Sequence, residues 1–473
     1  MSANTIYWYD FETFGGDPRR DRAAQFAGIR TDENLEIVGD PQVFYCKPAS
    51  DFLPDPMSCV ITGITPQKAE NEGMVEAEFI RRIHKEFSTA NTCVAGYNNI
   101  RFDDELTRQL LYRNFYDPYE REWKDGNSRW DIIDMVRLCA ATRPEGITWP
   151  KKEDGSNSFR LEHLTAANGI DHGAAHDALS DVLATIALAR LVRQQQPKLL
   201  EYSYQLRDKK KVAAEIDLVT RKPLLHVSVM YPASLGCLAL VMPICVHPRN
   251  SNGIIVYDLR ENPTSWLTAG VDEIRRRIYT PAADLADESG RIPLKTVHLN
   301  KCPMIASPAV LSPERAREYQ VDLDQCREHW QQLQNDKNLS STVRAVFDED
   351  YQEQESDPDF MIYSGGFFSD ADRALMQTVR NTNGADLARL DLPFRDARLP
   401  HMLLRYRARN YPHTLSAAEL EQWQKFRRDR LFADAAQQRF GQSLAQAKNS
   451  DRENSTQVVA EVEGYVRQLL SEF

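Results

Sequence analysis

Three groups of acidic and imidazole side chains in the first 200 residues are spaced so that they could act together. Asp10 and Glu12 lie two apart in YDFETFG, and side chains two apart on a β-strand leave the same face. Like charges on one face of a central strand repel and are costly to desolvate unless a cation or protons neutralise them. The pair is therefore a candidate metal-binding set, although D-x-E alone is a common pattern and also fits an exposed strand end. In GYNNIRFDDEL, Asp103, Asp104 and Glu105 open a helix. Carboxylates there cap the first turn and suit the macrodipole, so one of the three needs no further role. In HDALSD, His176 starts a helix and Asp181 lies more than a turn inside it, off the stripe of Leu179, Val182, Leu183 and Ile186 that would face a core. Taken singly, Asp181 reads as a solvated acid and His176 as a surface or capping histidine.

Positioning these groups requires an α/β scaffold. Strands are expected at 6–11, 26–30, 42–46 and 92–97, and helices at 66–87, 102–115, 131–141, 160–167 and 175–193. From about residue 201 the pattern changes to strands at 225–230, 238–246 and 254–259, interrupted by helical stretches at 271–279 and 314–333, which describes a small α+β domain. The acidic run DEDYQEQESDPD at 348–359 reads as an exposed linker. Amphipathic helices without β-branched runs follow, so the expected domains are 1–200 (α/β), 201–355 (α+β) and 356–473 (all-α).

A chain of 473 residues exceeds what one hydrophobic core supports, consistent with two or three domains. The net charge of −11 argues against a protein that coats polyanions generally, but leaves room for a local basic groove. Basic residues cluster at Arg405, Arg407 and Arg409 and at Lys425, Arg427, Arg428 and Arg430; solvated helix faces are the first reading of both clusters. Eight scattered cysteines without a C-x-x-C pair read as reduced structural thiols. The longest apolar run, from Cys237 to Val246, contains Pro243 and is too short to span a membrane. The opening MSANTIYWYDF has no signal-peptide pattern, so a cytoplasmic location is expected.

The order Asp-x-Glu, Asn-x-x-Phe-Asp, His-x-x-x-x-Asp resembles the DEDDh exonuclease family. Its motifs fall here on Asp10 and Glu12 with Thr13, on Asn98 or Asn99 leading to Phe102 and Asp103, and on His176 and Asp181. The fit selects Asp103 over Asp104. A sister branch with a tyrosine near the histidine is disfavoured, because Asp177, Ala178 and Leu179 occupy that stretch. The resemblance implies a ribonuclease H-like domain with a mixed sheet that hydrolyses nucleic acid from the 3′ end to 5′-mononucleotides. Two Mg²⁺ ions, replaceable by Mn²⁺, would be held by Asp10, Glu12, Asp103 and Asp181, with His176 as general base. Tyr9, Phe11 and Phe14 would either pack the core or offer faces for base stacking, a contact contributing about 1–3 kcal/mol per base.

Segments from DFETFGGDPRRDRAAQFAGIRTD through GYNNIRFDDE, SFRLEHLTAANGI and GFFSDADR to YRARNYP extend the resemblance to a three-domain bacterial member of that family. That resemblance implies single-stranded DNA as substrate, a role in DNA repair and recombination, an SH3-like middle domain, a helical C-terminal domain and a monomeric enzyme. It also implies substrate contacts at Glu12 and Arg160, with Arg108, Tyr119, Trp123 and Arg137 as further candidates along the strand's path. The acidic C-terminal tail of single-stranded DNA-binding protein is an implied partner, bound near Arg143. YRARNYP, RRIY and HLNK are expected to line a positive groove. The competing readings are an RNA-directed or proofreading DEDDh exonuclease, and a strand-binding protein that keeps the fold without the chemistry.

Overall fold

The computed structural model describes residues 4–173, 177–285, 290–349 and 355–473. In chain order its first half comprises strands β1 (Thr5–Thr13), β2 (Ala23–Thr31) and β3 (Gln42–Tyr45), then helices α1 (Pro56–Thr62), α2 (Pro66–Glu72) and α3 (Glu76–Phe87). Next come β4 (Thr92–Gly96), α4 (Asp103–Arg113), β5 (Ser128–Asp131), α5 (Ile133–Thr142), α6 (Leu161–Ala167) and α7 (Ala178–Gln195). The chain forms two compact units. One contains Met1–Ser128, His172–Leu183 and Gln352–Phe473; the other contains Arg129–Asp171 and Ala184–Tyr351.

In the first unit the strands run β3-β2-β1-β4. The β1–β2 and β2–β3 pairs are antiparallel and β1–β4 is parallel, giving the expected mixed sheet. Tyr7, Tyr9 and Phe11 on one face of β1 pack with Phe79, Ile83 and Phe87 of α3 and Leu106 and Leu110 of α4. That apolar face directs Asp10 and Glu12 to the opposite side of the sheet. Tyr9, Phe11 and Phe14 are buried, which makes them core residues and removes them as stacking faces.

The helix expected over 66–87 is two helices. Gly73 closes α2 with an N–H bond to Ala69 O, and a Cβ there would lie 2.3 Å from that oxygen and 3.0 Å from Lys47 N. The expected stripe on α7 is also only partly buried: Val182 and Ile186 are covered, while Leu183 is 41% exposed.

The C-terminal helices Asp370–Asn381, Arg398–Asn410, Ala417–Leu431, Asp434–Lys448 and Ser455–Leu470 belong to the same unit. Val458, Val462 and Val466 pack against Phe14, Phe52 and Val60. The basic cluster at 405–409 is neither a solvated face nor a groove lining. Arg405 pairs with Asp357, Arg407 with Glu419, and Arg409 with Asp51 at 2.7 Å and Asp359 at 2.5 Å. The end of the acidic run is correspondingly no exposed linker, since Asp359 is 2% exposed.

In the second unit, β6 (Leu224–Val227), β7 (Leu238–Val246), β8 (Gly253–Asp258), β9 (Leu294–His298) and β10 (Met304–Ala306) form an antiparallel sheet in the order β10-β6-β7-β8-β9. Its register shifts between Pro243 and Cys245, where proline cannot donate to the ladder. The helix expected over 314–333 is split into Pro313–Glu318 and Leu323–Asn335. Gln320 between them adopts φ 55°, and the Asp322 side chain caps the second helix. All eight cysteines are buried thiols. Among the described residues, no helix is long and apolar enough to cross a membrane.

Candidate active site

β1 is the inner strand that carries the first two acids, and α7 supplies the third. Ligand oxygens of Asp10, Glu12 and Asp181 lie within 4.8 Å of one another. Burial, followed by the charges of Asp103, Glu12 and Asp181, holds the Asp10 carboxyl well above the usual carboxylate range. Burial, followed by Asp181, Asp103 and Asp177, pushes Glu12 up to about 9. Without a cation the cluster therefore favours protons. Carboxylate oxygens at this spacing could hold a divalent cation.

Asp103 begins α4 and is buried. Its Oδ1 accepts the Phe11 N–H at 3.2 Å, which ties it to the acid-bearing strand. Asp104 plays a different part. It is fully buried and accepts from Tyr9 Oη at 2.8 Å and from Arg121 Nη2 at 2.6 Å. That occupancy gives a physical reason for Asp103, and not Asp104, to face the cluster. Glu105 accepts hydrogen bonds from Tyr363 Oη and from Gln109 Nε2. The turn before α4 depends on Gly96, where a Cβ would sit 3.0 Å from Tyr9 O and from the Asn99 side chain.

Three family models match consecutive parts of the chain: an exonuclease domain over 7–189, an exonuclease I SH3-like domain over 207–349 and an exonuclease I C-terminal domain over 356–469. Exodeoxyribonuclease I of Escherichia coli K12 is 48% identical over 426 residues, which is 90% of this chain and 89% of the relative. The chain belongs to the exonuclease I family. It superposes on E. coli exonuclease I in complex with a dA16 oligonucleotide with a TM-score of 0.94 and 44% identity, covering 98% of this chain and 100% of the other. A zinc-bound complex of the E. coli enzyme with single-stranded DNA also gives 0.94 at 44% identity, covering 99% and 100%. Membership of the exonuclease I family fixes the three folds: a ribonuclease H-like exonuclease domain, an SH3-like domain and a helical C-terminal domain.

The other expected site residues fall in both units of the chain. His176 lies outside the described residues. Arg108 directs Nε and Nη2 at Glu122, at 2.8 and 3.0 Å, and stacks over Tyr119. Tyr119 is half-buried beside the exposed ring of Phe367, and Trp123 is 66% exposed. Arg137 and Arg160 belong to the second unit. The former is buried and paired with Asp134, whereas the latter has an exposed side chain 3.8 Å from Glu162. Arg143, also in the second unit, donates to Thr142 O and Val310 O.

Three neighbours of the acids were not singled out from the sequence for this site. His172 Nε2 hydrogen-bonds Asp181 Oδ1, Asp177 adds its charge to the cluster, and Gln25 contacts the start of α7. A second histidine four residues before His176 was the available signal for the first; a glutamine on a neighbouring strand gave none.

Proposed function

We propose that this protein is a 3′→5′ exonuclease that degrades single-stranded DNA to 5′-mononucleotides and serves DNA repair and recombination. The observation that carries the reading is the group of Asp10, Glu12 and Asp181 carboxylates within 4.8 Å of one another in a chain of the exonuclease I family. Asp10, Glu12, Asp103 and Asp181 would hold two Mg²⁺ ions, with Mn²⁺ as a substitute. Such ions supply the positive charge that offsets negative charge developing on the attacking oxygen, the phosphoryl group and the departing 3′ oxygen. The protein's part is to orient and to move protons. His176 would accept the proton of the attacking water, a role suited to histidine, whose imidazole free in solution titrates near neutrality. As the water oxygen adds to phosphorus, the bond to the 3′ oxygen breaks, and that oxygen takes a proton from solvent to become the new 3′-hydroxyl of the shortened strand.

Arg160, Trp123 and Tyr119 are suited to hold phosphates and stack bases, with Glu12, Arg108 and Arg137 as additional contacts. The three-domain division at 1–200, 201–355 and 356–473 follows the changes of sequence character. An acidic C-terminal tail of single-stranded DNA-binding protein is the proposed partner near Arg143. Support comes from the family's oligonucleotide complexes and from a solved structure of SSB/exonuclease I in complex with an inhibitor.

The deciding assay uses 5′-labelled and 3′-labelled DNA single strands, duplexes and matched RNA, with and without Mg²⁺. Mg²⁺-dependent shortening of single-stranded DNA from the 3′ end is expected. Preference for RNA, attack from the 5′ end or turnover in chelator would overturn the proposal.

A further inference from the structure

Asp181 can join Asp10 and Glu12 only if α7 begins at one fixed place over the sheet. The β1–β2 register pairs Glu12 directly with Gln25, and directly opposed residues share a face. Gln25 is 2% exposed, and its amide is engaged on both sides. Nε2 donates to Tyr45 Oη of β3 at 3.2 Å and to Asp177 Oδ1 at 3.4 Å. Oε1 accepts the Ala178 N–H, the first of α7, at 3.3 Å. Asp177 uses its other oxygen to accept the Ser180 N–H at 3.3 Å, and its carbonyl receives the Asp181 N–H at 3.1 Å. A chain of hydrogen bonds thus runs from the strand opposite Glu12, through the first turn of α7, to the residue bearing the third carboxylate. On the carboxylate itself, His172 Nε2 contacts Oδ1.

We propose that Gln25 is a positioning residue for the metal-binding acids: its amide fixes the start of α7 and so sets the separation of Asp181 from Asp10 and Glu12. This rests on the reading of those acids as metal ligands. A neutral side chain that both donates and accepts is what the place requires. The Ala178 N–H needs an acceptor and the Asp177 carboxylate needs a donor, while a further negative charge beside Glu12 would add to the repulsion already present. Hydrogen-bonded groups that orient metal ligands typically change metal affinity or activity by about 10- to 100-fold when removed.

The test measures Mn²⁺ binding to the full chain without DNA by electron paramagnetic resonance, the Mg²⁺ dependence of single-strand hydrolysis, and melting in chelator. The variants are Gln25→Leu, Gln25→Glu and the double variant Q25E/D177N, which exchanges donor and acceptor across the same contact. Both single variants should weaken Mn²⁺ binding and raise the Mg²⁺ needed for half-maximal rate by roughly tenfold or more. The double variant should recover most of that loss relative to Gln25→Glu. Unchanged Mn²⁺ affinity in Gln25→Leu, or a double variant no better than Gln25→Glu, overturns the proposal. If Gln25→Leu fails to fold, the comparison of Gln25→Glu with the double variant decides. Failure of the unmodified chain to bind Mn²⁺ would instead overturn the metal reading of the acids.

Discussion

Two groups of charged residues in the first unit are held in opposite ways. Around β1, Asp10 and Glu12 face Asp103 and Asp181, and burial with like charge drives their carboxyls above the ordinary range. Asp51, Glu76 and Asp359 are more fully buried, yet arginines hold them ionised. Burial opposes the charge on Glu76, but Arg113, at 2.7 Å, and Arg22 outweigh it and bring the carboxyl down to about 2. Arg409, Arg22 and Arg430 do the same for Asp51. Acid packed against acid is poised for an external cation, whereas acid among arginines fastens the C-terminal helices to the sheet.

The largest expected effect separates the groups by activity. Replacing Asp10 by Asn should lower hydrolysis on the order of 10³-fold, leave strand binding in chelator largely intact, and raise the melting temperature of the metal-free protein at alkaline pH. A metal-free protein made less stable by D10N would break the contrast. Next, Asp51→Ala strands Arg409, Arg430 and Arg22 among buried neighbours and should destabilise the fold by about 3–5 kcal/mol, read by denaturant unfolding. A loss below about 1 kcal/mol would mean that the network is not holding the helices.

The two groups should also respond to pH with opposite signs. Carboxyls held low, such as Glu76, contribute stability above their ordinary value of 4.5, and it is lost as pH falls toward about 2. Glu12, raised from 4.5 to about 9, makes the metal-free fold less stable as pH climbs through that interval. Mg²⁺ binds the deprotonated acids, so its gain in melting temperature should grow between about pH 5 and pH 9. A gain that is flat or shrinks over this range would contradict the assignment. The smallest effect is a control for burial: Arg20 and Glu355 pair at 3.2 Å with Arg20 49% exposed. Arg20→Ala should therefore change unfolding free energy by less than about 1 kcal/mol.

How far each group could be read in the sequence follows from the range of the interactions that make it. The shared face of Asp10 and Glu12 was legible because strand alternation is local, as were the acids opening α4. Arg405, Arg407 and Arg409 were misread because charge spacing on a helix says nothing about Asp51, some 350 residues away, whose carboxylate accepts from Arg409. Tyr9 and Phe11 could have been stacking faces until α3 and α4 covered them. The single helices expected at 66–87 and 314–333 broke at Gly73 and near Gln320, where close backbone approach and a left-handed residue override apolar periodicity.

The opening pair therefore divides cleanly between sequence and tertiary structure. The alternation of YDFETFG by itself determined that Asp10 and Glu12 share a face, and the spaced motifs determined the family resemblance. Only the folded chain decided that Asp181 comes within 4.8 Å of them, that Asp104 is taken up by Tyr9 and Arg121, and that Gln25 is the strand residue at the start of α7. Those outcomes depend on the register of β1 with β2 and on burial, which join side chains that no local pattern connects.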